Sequence, residues 1–193
     1  MNWANRLTVS RLVLTIVFVL SLNSHWQYAH TAGLLLFVVA GVTDYFDGEI
    51  ARRYAVVTNF GKLMDPLVDK IMIAAAFISL VPLKAIPAWA AIIVVARDFL
   101  ITGLRLLASS NGQVLPAEQL GKHKTSWQIT TVLFFLVLLA ARELRYVGNR
   151  PFWWSGTWLA HVGTALIWIT VALTLYSGLA YAWKHRAVVA THT

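Results

Sequence analysis

The sequence predicts an all-α, polytopic membrane protein in which six transmembrane helices surround a polar cavity open to the cytoplasmic side. Its residues are 59% hydrophobic and only 12% charged, about half the roughly 25% of charged residues usual in soluble domains. Apolar runs recur along the whole length, at 12–22, 33–42, 71–81, 87–96, 129–141 and 159–175. The polar residues attached to the first five runs all fall on one side of an alternating topology, and this places the cavity.

Each element follows from the length its apolar run lacks. A helix needs about 20 residues to cross a bilayer, and several of these runs are shorter, so neighbouring polar residues must complete the helices. The first span is polar at its start, at Asn5, Arg6, Thr8 and Arg11, and the second at its end, from Asp44 through Arg53. The third begins with the stretch from Lys62 through Lys70, and the fourth ends with Arg97, Asp98 and Arg105. The fifth follows Lys122, His123, Lys124 and Thr125. With a cytoplasmic N-terminus, twelve Lys and Arg residues lie inside and four, Lys84, Arg142, Arg145 and Arg150, lie outside, in accord with the positive-inside rule. Ionisable groups at membrane depth are costly and turn to a water-filled cavity or to each other. The five polar ends are therefore expected to wall a hydrated cavity.

The net charge of +8 is read as topology plus phosphate binding, with no nucleic-acid partner. Cysteine is absent, which excludes disulfides, thiolate metal sites and cysteine nucleophiles. The first span has no clear small-residue cleavage signal and is expected to be retained. Without internal repeats, one membrane domain over 1–193 is expected. Trp26, Tyr28, Trp153, Trp154 and Trp158 lie near predicted interfaces and resemble aromatic belts.

Five of the eight acidic residues, Asp44, Asp47, Glu49, Asp65 and Asp69, fall between positions 44 and 69. Asp44 and Asp47 are three apart and Asp65 and Asp69 four apart, so each pair shares a helix face. Glu49 points away from that face. Four carboxylates converging from two neighbouring helices repel in a low dielectric unless a cation neutralises them. Oxygen ligands without sulfur favour a hard ion, Mg²⁺ or Mn²⁺. Two structural readings compete: Asp65 before Pro66 is also an N-cap with proline at the first helical position, and Asp44 or Asp47 could pair with Arg52 or Arg53. The four carboxylates together, with small Gly48, Ala51 and Gly61 among them, favour the metal site.

As a pattern, positions 44–69 read Asp-x2-Asp-Gly-x2-Ala-Arg-x8-Gly-x3-Asp-x3-Asp. This resembles the signature of the CDP-alcohol phosphatidyltransferases, with every fixed position occupied. Asn5-x2-Thr8-x2-Arg11 resembles the family's N-terminal motif. Ala96-Arg97-Asp98, Gly103-Leu104-Arg105 and Gly121-Lys122-His123-Lys124-Thr125 resemble the branch that forms phosphatidylglycerophosphate. One departure is Leu106, where that branch would carry an acidic residue.

The resemblance implies displacement of CMP from CDP-diacylglycerol by a hydroxyl of sn-glycerol 3-phosphate. It implies Asp44, Asp47 and Asp65 as metal ligands and Asp69 as a ligand that also acts as base, holding a pair of Mg²⁺ or Mn²⁺ ions. Such chemistry is mostly positioning and electrostatics, which suits carboxylate-held cations. It further implies Thr8 and Arg52 on the diphosphate, Asn5 near the nucleotide, and nucleotide room at Gly48, Ala51 and Gly61. Small residues there equally suit close helix packing. A homodimer in a bacterial inner membrane, with its site facing the cytoplasm, completes what the resemblance implies.

The acceptor's own phosphate asks for a second cationic group. Arg97 and Arg105, eight apart and near one helix face, and Lys122 and Lys124, on the loop leading into span five, are the candidates. Arginine suits bidentate phosphate contacts, although the same charges also serve topology. Arg11 has two readings, a site role or snorkelling to the interface. His123 shares the basic loop, while His25, His30, His161 and His185 show no metal-ligand spacing. Two other functions stay open: a cardiolipin synthase of the same family that uses phosphatidylglycerol, and a carboxylate-lined cation transporter. The transporter leaves the glycines and the basic cluster unexplained.

Overall fold

The computed structural model describes residues 3–54, 59–110, 119–148 and 157–184, with side chains over 9–43, 67–68, 70–106, 108, 124–144 and 158–184. Among these residues there are six helices and no strand: α1 (Trp3–Leu22), α2 (Ala29–Tyr54), α3 (Asn59–Leu80), α4 (Ala88–Ser110), α5 (Gln119–Gly148) and α6 (Thr157–Lys184). The helices outrun their apolar runs into the polar sequence, as the short runs require. At 20 to 30 residues each they are about 30–45 Å long, at a rise of 1.5 Å per residue.

Two boundaries differ from expectation. The third helix starts at Asn59, so Asp65 is no N-cap and Pro66 lies in the helix interior. A proline there has no N–H for the carbonyl four residues back, so the Lys62 carbonyl lacks that partner. Lys122, His123 and Lys124 belong to the first turns of α5 and not to a loop, because that end of α5 is held down on α4 by an ion pair described below. Trp153 and Trp154 lie outside the described residues.

Among the described residues, packing runs in a closed ring: α1 on α2, α2 on α5, α5 on α6, α6 on α4, α4 on α3 and α3 back on α1, with α3 also touching α5 across it. The apolar core fills one end. Phe18 and Leu22 of α1, Phe37 of α2, Phe77 and Leu80 of α3, Val94 of α4 and Leu136 of α5 are buried there together. Large apolar side chains also face outward, including Val13, Ile16 and Leu20 on α1, Ile92 and Leu100 on α4, and Leu175 and Leu179 on α6. Apolar surface on this scale is rare in water-soluble monomers. Two segments, Lys124–Leu144 and Trp158–Lys184, are long and apolar enough to cross a membrane.

The α1–α2 corner is tight because Gly33 has no side chain: a Cβ there would lie 2.6 Å from Leu22 Cδ2. The first turn of α2 is capped by another helix. Glu143 of α5 accepts from the backbone N–H groups of His30 (2.9 Å) and Thr31 (2.7 Å). It also accepts from the Thr31 hydroxyl (2.6 Å) and lies 3.0 Å from His30 Nδ1. Helix N-termini leave N–H groups unsatisfied and carry partial positive charge, so one carboxylate serves both needs. Glu143→Ala is expected to destabilise the fold by about 2 kcal/mol, in the range of a lost N-cap. Thermal unfolding in detergent measures it; an unchanged midpoint would show the cap to be dispensable.

Candidate functional site

The carboxylate helices are arranged by chain connectivity and rise. Only residues 55–58 separate the end of α2 from the start of α3, so both pairs stand near one end of the bundle. Asp47 and Asp65 lie seven and six residues from these facing ends, and Asp44 and Asp69 each lie ten. At 1.5 Å per residue the four fall at two matched heights, about 10 and 15 Å into the bundle. Both helices lean on α1 and on α5. A set of four carboxylates at paired heights suits hard divalent cations, whose ligands are oxygens.

The side chains of Asn5, Thr8, Asp44, Asp47, Glu49, Gly48, Ala51, Arg52, Arg53, Gly61, Asp65, Asp69, Lys122 and His123 lie outside the described ones, so their helices alone place them. Arg11 is described, and it is buried at 5% exposure within the bundle. Its side chain does not snorkel outward, because the interior face of α1 packs between α2 and α3.

Three of the four candidates for the second cationic group, Arg97, Arg105 and Lys124, are described. Arg97, Asp98 and Arg105 come from α4, Lys124 and Gln128 from α5, and Ser177 and Tyr181 from α6, all near one end of the bundle. Asp98 is the hub. Its Oδ1 receives Lys124 Nζ and, at 3.3 Å, Arg97 Nη1, while its Oδ2 receives Gln128 Nε2 at 3.3 Å. Its backbone carbonyl accepts the Thr102 hydroxyl at 2.6 Å, and Thr102 in turn receives Lys70 Nζ from α3. Lys70 directly follows Asp69 in the chain, so this contact ties the turn carrying that aspartate to α4.

Arg97 also donates through Nη2 to Ser177 Oγ at 3.1 Å, and Arg105 donates through Nε to the Tyr181 hydroxyl at 3.2 Å. One carboxylate faces two direct cationic partners, Arg97 and Lys124, and the local balance is positive. Such a group of fixed donors suits a phosphate dianion. Arg97 and Arg105 stand two turns apart on α4, and each meets a side chain of α6. Lys124 stands on the same network but is turned inward, with its side chain 5% exposed against Asp98.

The sequence names Asp98 without giving it a role, and it gives Glu143 none. A single acidic residue beside an arginine carries no spacing signal, and its partner Lys124 lies 26 residues away. Among the described residues, no three His, Cys, Asp or Glu side chains gather into a metal-binding group. Removing one partner of a buried ion pair costs about 3–5 kcal/mol, because the other charge is stranded. Asp98→Ala is expected to lose about that much, and adding Lys124→Met should restore most of it, as read by unfolding midpoints of the single and double variants. Simply additive losses would mean that the two charges do not depend on each other.

The model of the CDP-alcohol phosphatidyltransferase family matches residues 1–176. A curated CDP-diacylglycerol--glycerol-3-phosphate 3-phosphatidyltransferase of Bacillus subtilis is 35% identical over 202 residues, covering 98% of each chain. A protein of the same name from Rickettsia felis is 35% identical over 181 residues, 93% of each chain. Another, from Mycoplasma pneumoniae, is 38% identical over 133 residues, which cover 68% of this chain and 59% of the relative.

Proposed function

Because the chain belongs to the CDP-alcohol phosphatidyltransferase family, we propose that it transfers the phosphatidyl group of CDP-diacylglycerol to sn-glycerol 3-phosphate. The products are CMP and phosphatidylglycerophosphate. The observation that carries this reading is the near full-length similarity to relatives named for that donor and acceptor. Those names favour glycerol 3-phosphate over phosphatidylglycerol, and an enzyme over a transporter.

In this reading a primary hydroxyl of the acceptor gives its proton to Asp69 as its oxygen attacks the phosphorus bearing diacylglycerol. The bond from that phosphorus to the CMP oxygen breaks, and CMP leaves. Asp44, Asp47, Asp65 and Asp69 hold a pair of Mg²⁺ or Mn²⁺ ions, whose charge offsets that of the diphosphate and makes the hydroxyl more acidic. Thr8 and Arg52 bind the diphosphate and Asn5 the nucleotide end, while Gly48, Ala51 and Gly61 leave the nucleotide room. The acceptor phosphate lies against Arg97 and Arg105, with Lys122 beside them. Lys124 acts by its field, since Asp98 occupies it.

All six helices span the membrane as one domain, with the polar end toward the cytoplasm, in the inner membrane of a bacterium and as a homodimer. The twelve-to-four charge asymmetry and the outward apolar side chains support the spans and their orientation.

CMP release from CDP-diacylglycerol should be far faster with glycerol 3-phosphate than with phosphatidylglycerol, and the reverse preference would overturn the acceptor assignment. Asp69→Asn should lower kcat about 10³-fold in folded, inserted protein, within the range of a lost general base. Chelation of divalent metal should stop turnover, and a fully active metal-free preparation would contradict the site. Arg105→Ala should raise the KM for glycerol 3-phosphate about tenfold or more, in line with a lost charged hydrogen bond.

A further inference from the structure

We infer that α6 is the holder of the acceptor-phosphate site: Ser177, Gly178 and Tyr181 are positioning residues that fix the guanidinium groups of Arg97 and Arg105. This rests on the reading of those arginines given above. The three residues lie beyond residue 176, where the family match ends.

Arginines at membrane depth have long, freely rotating stems, and a bidentate phosphate contact demands one orientation of the planar fork. Arg105 takes that orientation from α6, and Arg97 takes it from α6 together with Asp98. Tyr181 lies four residues after Ser177 and three after Gly178, so its face of α6 borders both. Ser177 is buried and donates its own proton to the Thr174 carbonyl at 3.2 Å, which leaves its oxygen free to accept from Arg97. Gly178 is where the Arg97 stem crosses α6. A Cβ at that position would lie 2.9 Å from Arg97 Cγ and 3.3 Å from Nε, so a larger residue must displace the stem near its root. Tyr181, 2% exposed, holds Arg105 twice: its hydroxyl accepts from Nε, and the guanidinium carbon sits 5.3 Å from the ring centroid. With Nε committed to Tyr181, a two-point contact to phosphate falls to the paired Nη groups.

Residues that orient a binding group without touching its ligand alter affinity for that ligand and little else. Tyr181→Phe keeps the ring and removes the acceptor oxygen, while Gly178→Ala moves the Arg97 stem. Each purified variant is assayed for CMP release against both substrates, beside Arg97→Ala, Arg105→Ala and the Tyr181→Phe/Arg105→Ala pair, with unfolding midpoints recorded. The expected result is a rise of about three- to tenfold in the KM for glycerol 3-phosphate for each α6 variant, the scale of one weakened charged hydrogen bond. The KM for CDP-diacylglycerol, kcat and the midpoint should stay near wild type, and Tyr181→Phe should add nothing once Arg105 is gone. Arginine variants that raise the acceptor KM beside α6 variants that do not would overturn this inference alone. Arginine variants that leave the acceptor KM unchanged would overturn the arginine reading and this one with it. A parallel loss of both KM values and the midpoint in the α6 variants would mean that these residues only pack.

Discussion

Asp98 carries its charge at a point where α4 meets α5 and α6 and where α3 is tethered through Thr102. Burying an isolated carboxylate is prohibitive, and burying an isolated lysine is equally so. Neither Asp98 nor Lys124 could occupy its position without the other, and Arg97 and Gln128 complete the coordination of the carboxylate. This mutual need sets how four helices approach each other at the polar end. The rest of the candidate site inherits its geometry from it: the start of α5 is held onto α4, and the Lys70 contact fixes α3 one residue from Asp69.

The bundle divides its labour along its length. At one end, phenylalanine, leucine and valine side chains from all six helices form an apolar plug, and Glu143 caps α2. At the other, polar contacts replace apolar ones. Along the α5–α6 seam, Thr131 and Thr170 share a hydrogen bond at 2.8 Å, and further along α6 Ser177 and Tyr181 engage the arginines. Packing in a lipid-like surround gains little from hydrophobicity, so small and hydroxyl-bearing side chains carry helix association there. The apolar end supplies rigidity, and the polar end uses that rigidity to hold charged groups in place.

Much of this was legible in the residues because the signals were local. Apolar runs too short for a helix implied polar extensions, and α1, α2, α3 and α5 extend as that reasoning requires. Carboxylates three and four apart implied shared faces, and the pattern over 44–69 implied the family. The signals that failed were long-range. No spacing rule links His30 to Glu143 across 113 positions, and nothing local orders six apolar helices into the ring that the structure adopts. Arg11 kept two readings, a site role and snorkelling, because its sequence neighbours cannot report that its helix face packs inward. Asp65 before Pro66 mimicked a helix start, since the local chemistry of a cap does not reveal that a helix has already begun six residues earlier.

The place of α6 in the ring bears on how the protein is made. This helix joins α4 to α5, yet in the chain it follows both, and proteins emerge from the ribosome N-terminus first. Until α6 is made, Arg97 and Arg105 stand on α4 without Ser177 and Tyr181 to receive them. A nascent chain that stalls before α6 therefore already carries all four aspartates of the signature and still lacks the means to aim its arginines. If those arginines hold the acceptor phosphate as proposed, synthesis completes their setting only with α6.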